Sequence, residues 1–153
     1  MTEERSDKLD PQSDAVCAYL AALQGVVTRM AGNSASCKNW CITLVAGVLV
    51  IVLDKGKPEY GLISLVPVFV FAYLDAFYLR LERQYRAVYD TFVRLLNAGE
   101  GNSQDLHVLN LGALSFKDKL RPISTLDAAV STAVWPYYTV IAAAVVGAVR
   151  LAP

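Results

Sequence analysis

The chain has 153 residues, the length of a single domain, and its 14 basic residues balance its 14 acidic residues. Hydrophobic residues make up 55% of the chain and charged residues only 18%. This composition excludes a disordered chain and lacks the basic character of proteins that bind duplex nucleic acid, so we expect no direct binding to duplex nucleic acid. The excess of hydrophobic residues predicts an all-α integral membrane protein in a lipid bilayer.

The chain opens with a polar segment, residues 1–12, that contains no apolar core. We therefore expect a flexible, cytosolic N-terminus rather than a secretory signal peptide. Ser13 is a suitable N-cap, and apolar residues such as Val16 and Leu23 then recur at helical spacing. Residues 13–34 form a predicted amphipathic helix, whose apolar face either packs on the protein or lies in the membrane interface.

Two uncharged runs follow, separated by a polar turn at residues 54–59. The first predicted span covers residues 35–53, where the Lys38 side chain can reach the interface, and the second covers residues 60–79. Both runs lack the polar face that a surface helix of a soluble protein carries. We interpret them as a transmembrane helical hairpin; a buried hairpin of a soluble protein is the alternative.

The second span continues as a predicted cytosolic helical extension over residues 80–97. Its charged side chains are spaced for i,i+4 ion pairs, of which Glu82 with Arg86 is one. Gly99 suits the position just after a helix end, so the extension should end there.

The C-terminal part of the chain is less regular. Residues 98–123 form a predicted linker, and residues 124–150 form a predicted third apolar helix that opens with a capping box at Ser124. Pro136 interrupts this run. A short, tilted or re-entrant helix and a full span therefore both remain open.

The orientation of the hairpin follows from its basic residues, because the flank richer in Lys and Arg is usually cytosolic. The flank after the second span carries Arg80, Arg83, Arg86 and Arg94. We therefore expect the N-terminus and the region after the second span to be cytosolic, and the hairpin turn to lie outside.

Little in the sequence points to catalysis or to a cofactor. His107 is the only histidine, which excludes a site with several histidine ligands. The three cysteines form no C-x-x-C pair, and nucleotide-binding and nucleophile-elbow motifs are absent. We expect neither an enzyme, nor a metal site, nor a cofactor.

A stripe of small and weakly polar residues follows the first predicted span at helical spacing. It consists of Ser36, Asn39, Thr43 and Gly47. Such residues allow helices to approach closely in lipid and to form hydrogen bonds between helices. The stripe could contact the second helix of the same chain, another subunit, or the water in a pore.

Asp75 lies near the cytosolic end of the second span, where an ionised carboxylate needs a cation. The candidate partners are Lys38, Arg29 and Arg80. Structural pairing and a role in gating or in an ion path both remain open. A further cationic cluster could contact lipid headgroups or bind an acidic partner or a phosphate-bearing signal; its members are Arg83, Arg86 and Arg94.

Two stretches resemble a family of small bacterial multi-span membrane proteins. The first is residues 23–31 followed by Lys38 and Trp40, and the second is residues 74–80 followed by Tyr89. The architecture is also similar to the SLATT-type two-transmembrane effectors of anti-phage defence systems. This resemblance implies an inner-membrane homo-oligomer that stays inactive until a nucleotide signal or a soluble regulatory protein triggers it.

Together these features predict an oligomeric pore-forming or membrane-disrupting effector of the bacterial inner membrane, acting in anti-phage defence. One hairpin with so few polar groups cannot enclose a water path, whereas a ring of three or more copies could. The alternative is a non-conducting membrane anchor or scaffold whose arginine-rich extension recruits a soluble partner.

Overall fold

A computed structural model describes residues 8–101 and 128–151 of the chain. Within these ranges the chain forms helix α1 (Asp14–Asp54), a short 3-10 helix (Pro58–Ser64), helix α2 (Leu65–Ala98) and helix α3 (Trp135–Leu151). No β-strand occurs among the described residues, which confirms the predicted all-α class. The predicted features at His107, at Ser124 and in most of the linker lie outside the described residues.

Helix α1 is one continuous helix where the sequence predicted two elements, at residues 13–34 and 35–53. Ser13 is its N-cap, as predicted: the Val16 amide donates to the Ser13 hydroxyl at 3.4 Å, and the Cys17 amide donates to the Ser13 carbonyl at 3.0 Å. No proline falls between Ser13 and Asp54, so nothing in the backbone forces a break at residue 34.

Both long helices end at a glycine in the left-handed region, Gly56 after α1 and Gly99 after α2. The Gly99 amide donates to the Leu96 carbonyl at 3.1 Å, and the Glu100 amide donates to the Leu95 carbonyl at 3.0 Å. This is the Schellman arrangement, which satisfies carbonyls left free at a helix end. The predicted end of the extension at Gly99 is confirmed.

The second helix begins later than the sequence predicted, and the predicted third helix, which is helical at residues 128–129, is interrupted before Trp135. The first residues of predicted span 60–79 belong to the 3-10 helix, and α2 begins at Leu65. Helix α3 begins at Trp135, so its first turn contains Pro136, a position where the missing amide hydrogen costs nothing. Hydrogen-bonded turns precede it, with the Val134 amide donating to the Ser131 carbonyl at 2.9 Å.

The described residues divide into two compact units. The arginine-rich unit comprises residues 8–30 and 81–101. Its core joins one face of α1 to one face of α2 and consists of Val16, Tyr19, Leu23, Val88, Phe92 and Leu96. The rings of Tyr19 and Phe92 meet edge to face at 4.7 Å. The apolar face of the amphipathic segment therefore packs on the protein, the first of the two predicted alternatives.

The hairpin unit comprises residues 31–80 and 128–151. Its core takes side chains from α1, α2, α3 and the turns before α3: Cys41, Val45, Val68, Val134, Tyr138, Ile141 and Val145. Its outer surface exposes many large apolar side chains, including Trp40, Val50, Val66, Phe69 and Val140. Two segments, Asp14–Asp54 and Tyr60–Ala98, are long and apolar enough to cross a membrane.

Helix α3 lies along the hairpin over most of its length. Near its start, the Tyr137 hydroxyl donates to the Lys38 carbonyl of α1 at 2.8 Å. Near its end, α3 packs so closely on the 3-10 helix that a Cβ on Gly61 would lie 2.7 Å from Cγ2 of Val149. Its 17 residues rise about 26 Å, slightly less than the roughly 30 Å of a hydrocarbon core.

Candidate functional site

The Asp75 carboxylate is fully buried inside the hairpin unit, and both of its oxygens accept hydrogen bonds from α1. The Lys38 ammonium donates to Oδ2 at 2.5 Å, and the Ser34 hydroxyl donates to Oδ1. The Lys38 ammonium also lies 3.4 Å from the Ser34 hydroxyl oxygen. A buried charge is tolerated when it is paired and fully hydrogen-bonded, and this carboxylate meets both conditions.

Among the three cations predicted as partners for Asp75, the structure joins Lys38 to it. Arg29 is exposed and belongs to the arginine-rich unit, while Arg80 is half-buried in the hairpin unit. Sequence reasoning missed Ser34, although it stands four residues before Lys38 and so lies on the same face of α1.

Helix α3 brings two tyrosines to this site, and sequence reasoning missed both. Tyr137 donates to the Lys38 carbonyl, and its ring meets that of Tyr138 edge to face at 5.1 Å. The buried Tyr138 hydroxyl makes no well-formed hydrogen bond to any described residue and lies in the field of the Asp75 carboxylate. The site is therefore a polar cluster between three helices, walled by apolar side chains.

The cysteines beside this cluster act as small apolar side chains. Cys37 and Cys41 are buried on the face of α1 that points into the hairpin unit. No group of three His, Cys, Asp or Glu side chains that could hold a metal ion occurs in the described ranges. The cluster offers one carboxylate, one ammonium and several hydroxyl groups, which suits proton or charge rearrangement rather than metal chemistry.

The predicted polar stripe of α1 faces away from the core of the hairpin unit. Ser36, Asn39, Thr43 and Gly47 are all exposed, whereas Cys41 and Val45 on the other side of the helix are buried. The stripe therefore lies on the side of α1 away from the buried Cys41 and Val45. The stripe is open to lipid, to water or to another subunit.

The hydroxyl groups of the stripe are satisfied within α1, but the amide is not. Ser36 donates to the Gly32 carbonyl at 2.9 Å, and Thr43 donates to the Asn39 carbonyl at 2.8 Å. The Asn39 side-chain amide has no hydrogen-bond partner among residues 8–101 and 128–151. Nothing lies within 4 Å of a Cβ placed on Gly47, so another helix could approach closely there.

The predicted cluster of Arg83, Arg86 and Arg94 lies in the arginine-rich unit. Arg86 forms the predicted ion pair with Glu82 at 2.8 Å, while Arg94 instead donates to the backbone carbonyl of Asp90 at 3.3 Å. Arg83 is half-buried. Arg86 also lines an open cavity of about 360 Å³, together with Gln24 and Tyr89, where the Gln24 side-chain amide donates to the Tyr89 hydroxyl oxygen at 3.1 Å.

No family model, curated protein or solved structure matches the chain.

Proposed function

We propose that the chain is an integral membrane protein that assembles into a homo-oligomeric pore through the stripe Ser36–Asn39–Thr43–Gly47. The observation that carries this proposal is the exposed Asn39 amide, which has no partner in the described chain although it lies on an apolar helix. In hydrocarbon an unsatisfied amide costs several kcal/mol, so it requires water or a polar group of another subunit.

A ring of subunits provides both kinds of partner. Stripes from several copies would line a narrow water-filled path, and the small side chains of Ser36 and Gly47 would allow the helices to approach closely. Exposed apolar side chains of α2, such as Val66 and Phe69, would contact lipid. A single hairpin cannot enclose water, so at least three copies are required.

The buried pair of Lys38 and Asp75 is the proposed gate. Ionisable residues within spans are rare and usually functional, because each costs about 2.5–3.5 kcal/mol at the bilayer centre. The pair holds α1 to α2 in the resting state, and its separation would free α1 to move. By its resemblance to SLATT-type effectors, we place this pore in the bacterial inner membrane, in anti-phage defence, under control of a nucleotide signal or a regulatory protein.

The first experiment is the absolute mass of the purified protein in mild detergent, by light scattering with the detergent contribution subtracted. The proposal expects a discrete oligomer of three or more chains. A stable monomer or dimer that also stays non-conducting in planar bilayers would overturn it.

The second experiment separates a pore from a membrane anchor. Asn39→Leu with Thr43→Leu makes the stripe apolar, which should abolish conductance and toxicity, whereas an anchor would tolerate a more apolar span. The matched control is Ile42→Leu with Leu44→Ile, because both residues are exposed on the same helix turns and both substitutions leave the side chain apolar.

A membrane anchor would use the exposed Arg86 and Arg94 to recruit a soluble acidic partner.

A further inference from the structure

An apolar groove runs along the outside of the hairpin unit, between α2 and α3. Its volume is about 450 Å³, within the range of roughly 300–1,000 Å³ that is typical of small-ligand sites. Its walls are almost wholly apolar. Such walls offer almost no hydrogen-bond partner to a ligand, so the natural occupant is itself apolar.

The shape of the groove follows from the spacing of side chains on α2. Val68, Ala72 and Ala76 stand four residues apart and form the floor, while Phe69 and Tyr73 form one rim. Rows at i,i+4 run along a helix axis, so the groove is a trough about 12 Å long at 1.5 Å per residue. The opposite wall comes from Trp135, Tyr138 and Ala142.

We propose that this groove is a binding site for an acyl chain of a membrane phospholipid. The proposal rests on the membrane location proposed above, but not on pore formation. A trough that follows the helix axis lies along the bilayer normal, the direction of an acyl chain, and about 12 Å matches most of a leaflet of roughly 15 Å.

The rim and the floor fit this occupant. The aromatic side chains Phe69 and Tyr73 are 71% and 65% exposed, so they continue the apolar surface from which lipid would enter. The floor narrows to alanine side chains, which leave room for a chain of methylene groups. At the Ala76 end the groove reaches Tyr138, which also lies in the field of Asp75. A bound acyl chain would therefore contact the buried Tyr138, the neighbour of the Tyr137 that donates to the Lys38 carbonyl.

The test uses the two tryptophans of the chain, Trp40 and Trp135. Trp135 stands on the groove, and Trp40 is an exposed residue of α1 that does not line it. The variants Trp40→Phe and Trp135→Phe each leave one emitter in the full-length protein. Each is reconstituted in phosphatidylcholine vesicles that contain increasing fractions of phosphatidylcholine brominated in its acyl chains, which quench tryptophan on contact.

Groove-filling variants then decide whether the site is occupied. Ala142→Leu places bulk in the groove, and Ala143→Leu is the matched control, because Ala143 is exposed and does not line it. Ala72→Leu fills the groove from its floor on α2. We expect filling to reduce quenching of Trp135 on the order of twofold, because this 50% exposed residue loses its groove-side lipid contact, and to leave Trp40 unchanged. Native mass spectrometry should show one phospholipid per chain, absent after filling and retained in the control.

Three results would contradict these expectations in different ways. Equal quenching of Trp135 in the filled and control variants, with no retained phospholipid, would overturn the groove site alone. Quenching of Trp40 without any quenching of Trp135 would show that protein covers the groove, as in contact with a second copy. The absence of quenching at both tryptophans, together with failure of the protein to float with the vesicles in a density gradient, would overturn the membrane location itself.

Discussion

The Lys38 ammonium lies 2.5 Å from the Asp75 carboxylate, and the carboxylate is fully buried while the Lys38 side chain keeps 24% of its exposure. The pair therefore reaches from the interior of the hairpin unit toward its surface. Removal of the cation would leave a buried negative charge, whereas removal of the carboxylate would leave a cation that can turn outward. The two single variants should differ for this reason.

Lys38→Met should destabilise the protein by about 3 kcal/mol, at the lower end of the range for breaking a buried pair. Asp75→Asn should cost less, because the neutral amide can still accept from Ser34. The double variant Lys38→Met/Asp75→Leu should recover much of the loss, since an apolar replacement of a buried pair is often neutral. Unfolding in detergent, followed by circular dichroism, measures all three.

The gating role of the same pair has its own readout. Asp75→Asn should change the threshold for conductance or toxicity, because it weakens the contact that holds α1 to α2. Full wild-type activity of Asp75→Asn, together with the expected stability change, would mean that the pair is only structural.

The adjacent tyrosines of α3 should respond in opposite ways to loss of the hydroxyl group. Tyr137→Phe removes the hydrogen bond to the Lys38 carbonyl and should cost about 0.5–1.5 kcal/mol. Tyr138→Phe removes a buried hydroxyl group without a well-formed hydrogen bond and should be neutral or stabilising. Thermal unfolding of both variants, with Tyr73→Phe as an exposed control, checks the contrast. Equal losses for Tyr137→Phe and Tyr138→Phe would show that the Tyr138 hydroxyl is hydrogen-bonded.

The close approach of α3 to the 3-10 helix predicts that replacing Gly61 destabilises the protein. Gly61→Ala places a Cβ 2.7 Å from Val149 and 3.4 Å from Leu49, so overpacking should cost about 1–3 kcal/mol. Adding Val149→Ala should restore most of the stability. Gly47→Ala is the matched control: its Cβ meets nothing within 4 Å, so folding should be unaffected. A loss with Gly61→Ala that Val149→Ala does not relieve would argue against this packing.

Because α3 runs from Lys38 to the 3-10 helix, its two ends should lie on opposite sides of the membrane. In a background without native cysteines, Lys55→Cys in the hairpin turn and Leu151→Cys at the end of α3 should react with an impermeant maleimide from outside. Thr132→Cys, before the start of α3, should react only after permeabilisation. Labelling of positions 132 and 151 from the same side would show that α3 does not cross.

Local features of the fold could be predicted because they depend on neighbouring residues. A serine before an apolar-periodic run caps a helix through its own hydroxyl group, and a glycine after the run ends a helix at positive φ, as Ser13 and Gly99 do here. The apolar face that contains Val16 and Leu23 followed from helical spacing for the same reason.

The contacts between helices were decided only by the tertiary structure. Three cations were equally plausible partners for Asp75, and only packing brings Lys38 and Ser34 to it. Tyr137 and Tyr138 belong to a segment far along the chain, and no local pattern ties them to Lys38. The outward direction of the polar stripe is also a packing result, because the helical period shows which residues share a face but not what that face meets. Hydropathy and helix capping depend on residues that are close in the sequence. Which helix surfaces face each other depends on the free energy of the whole fold.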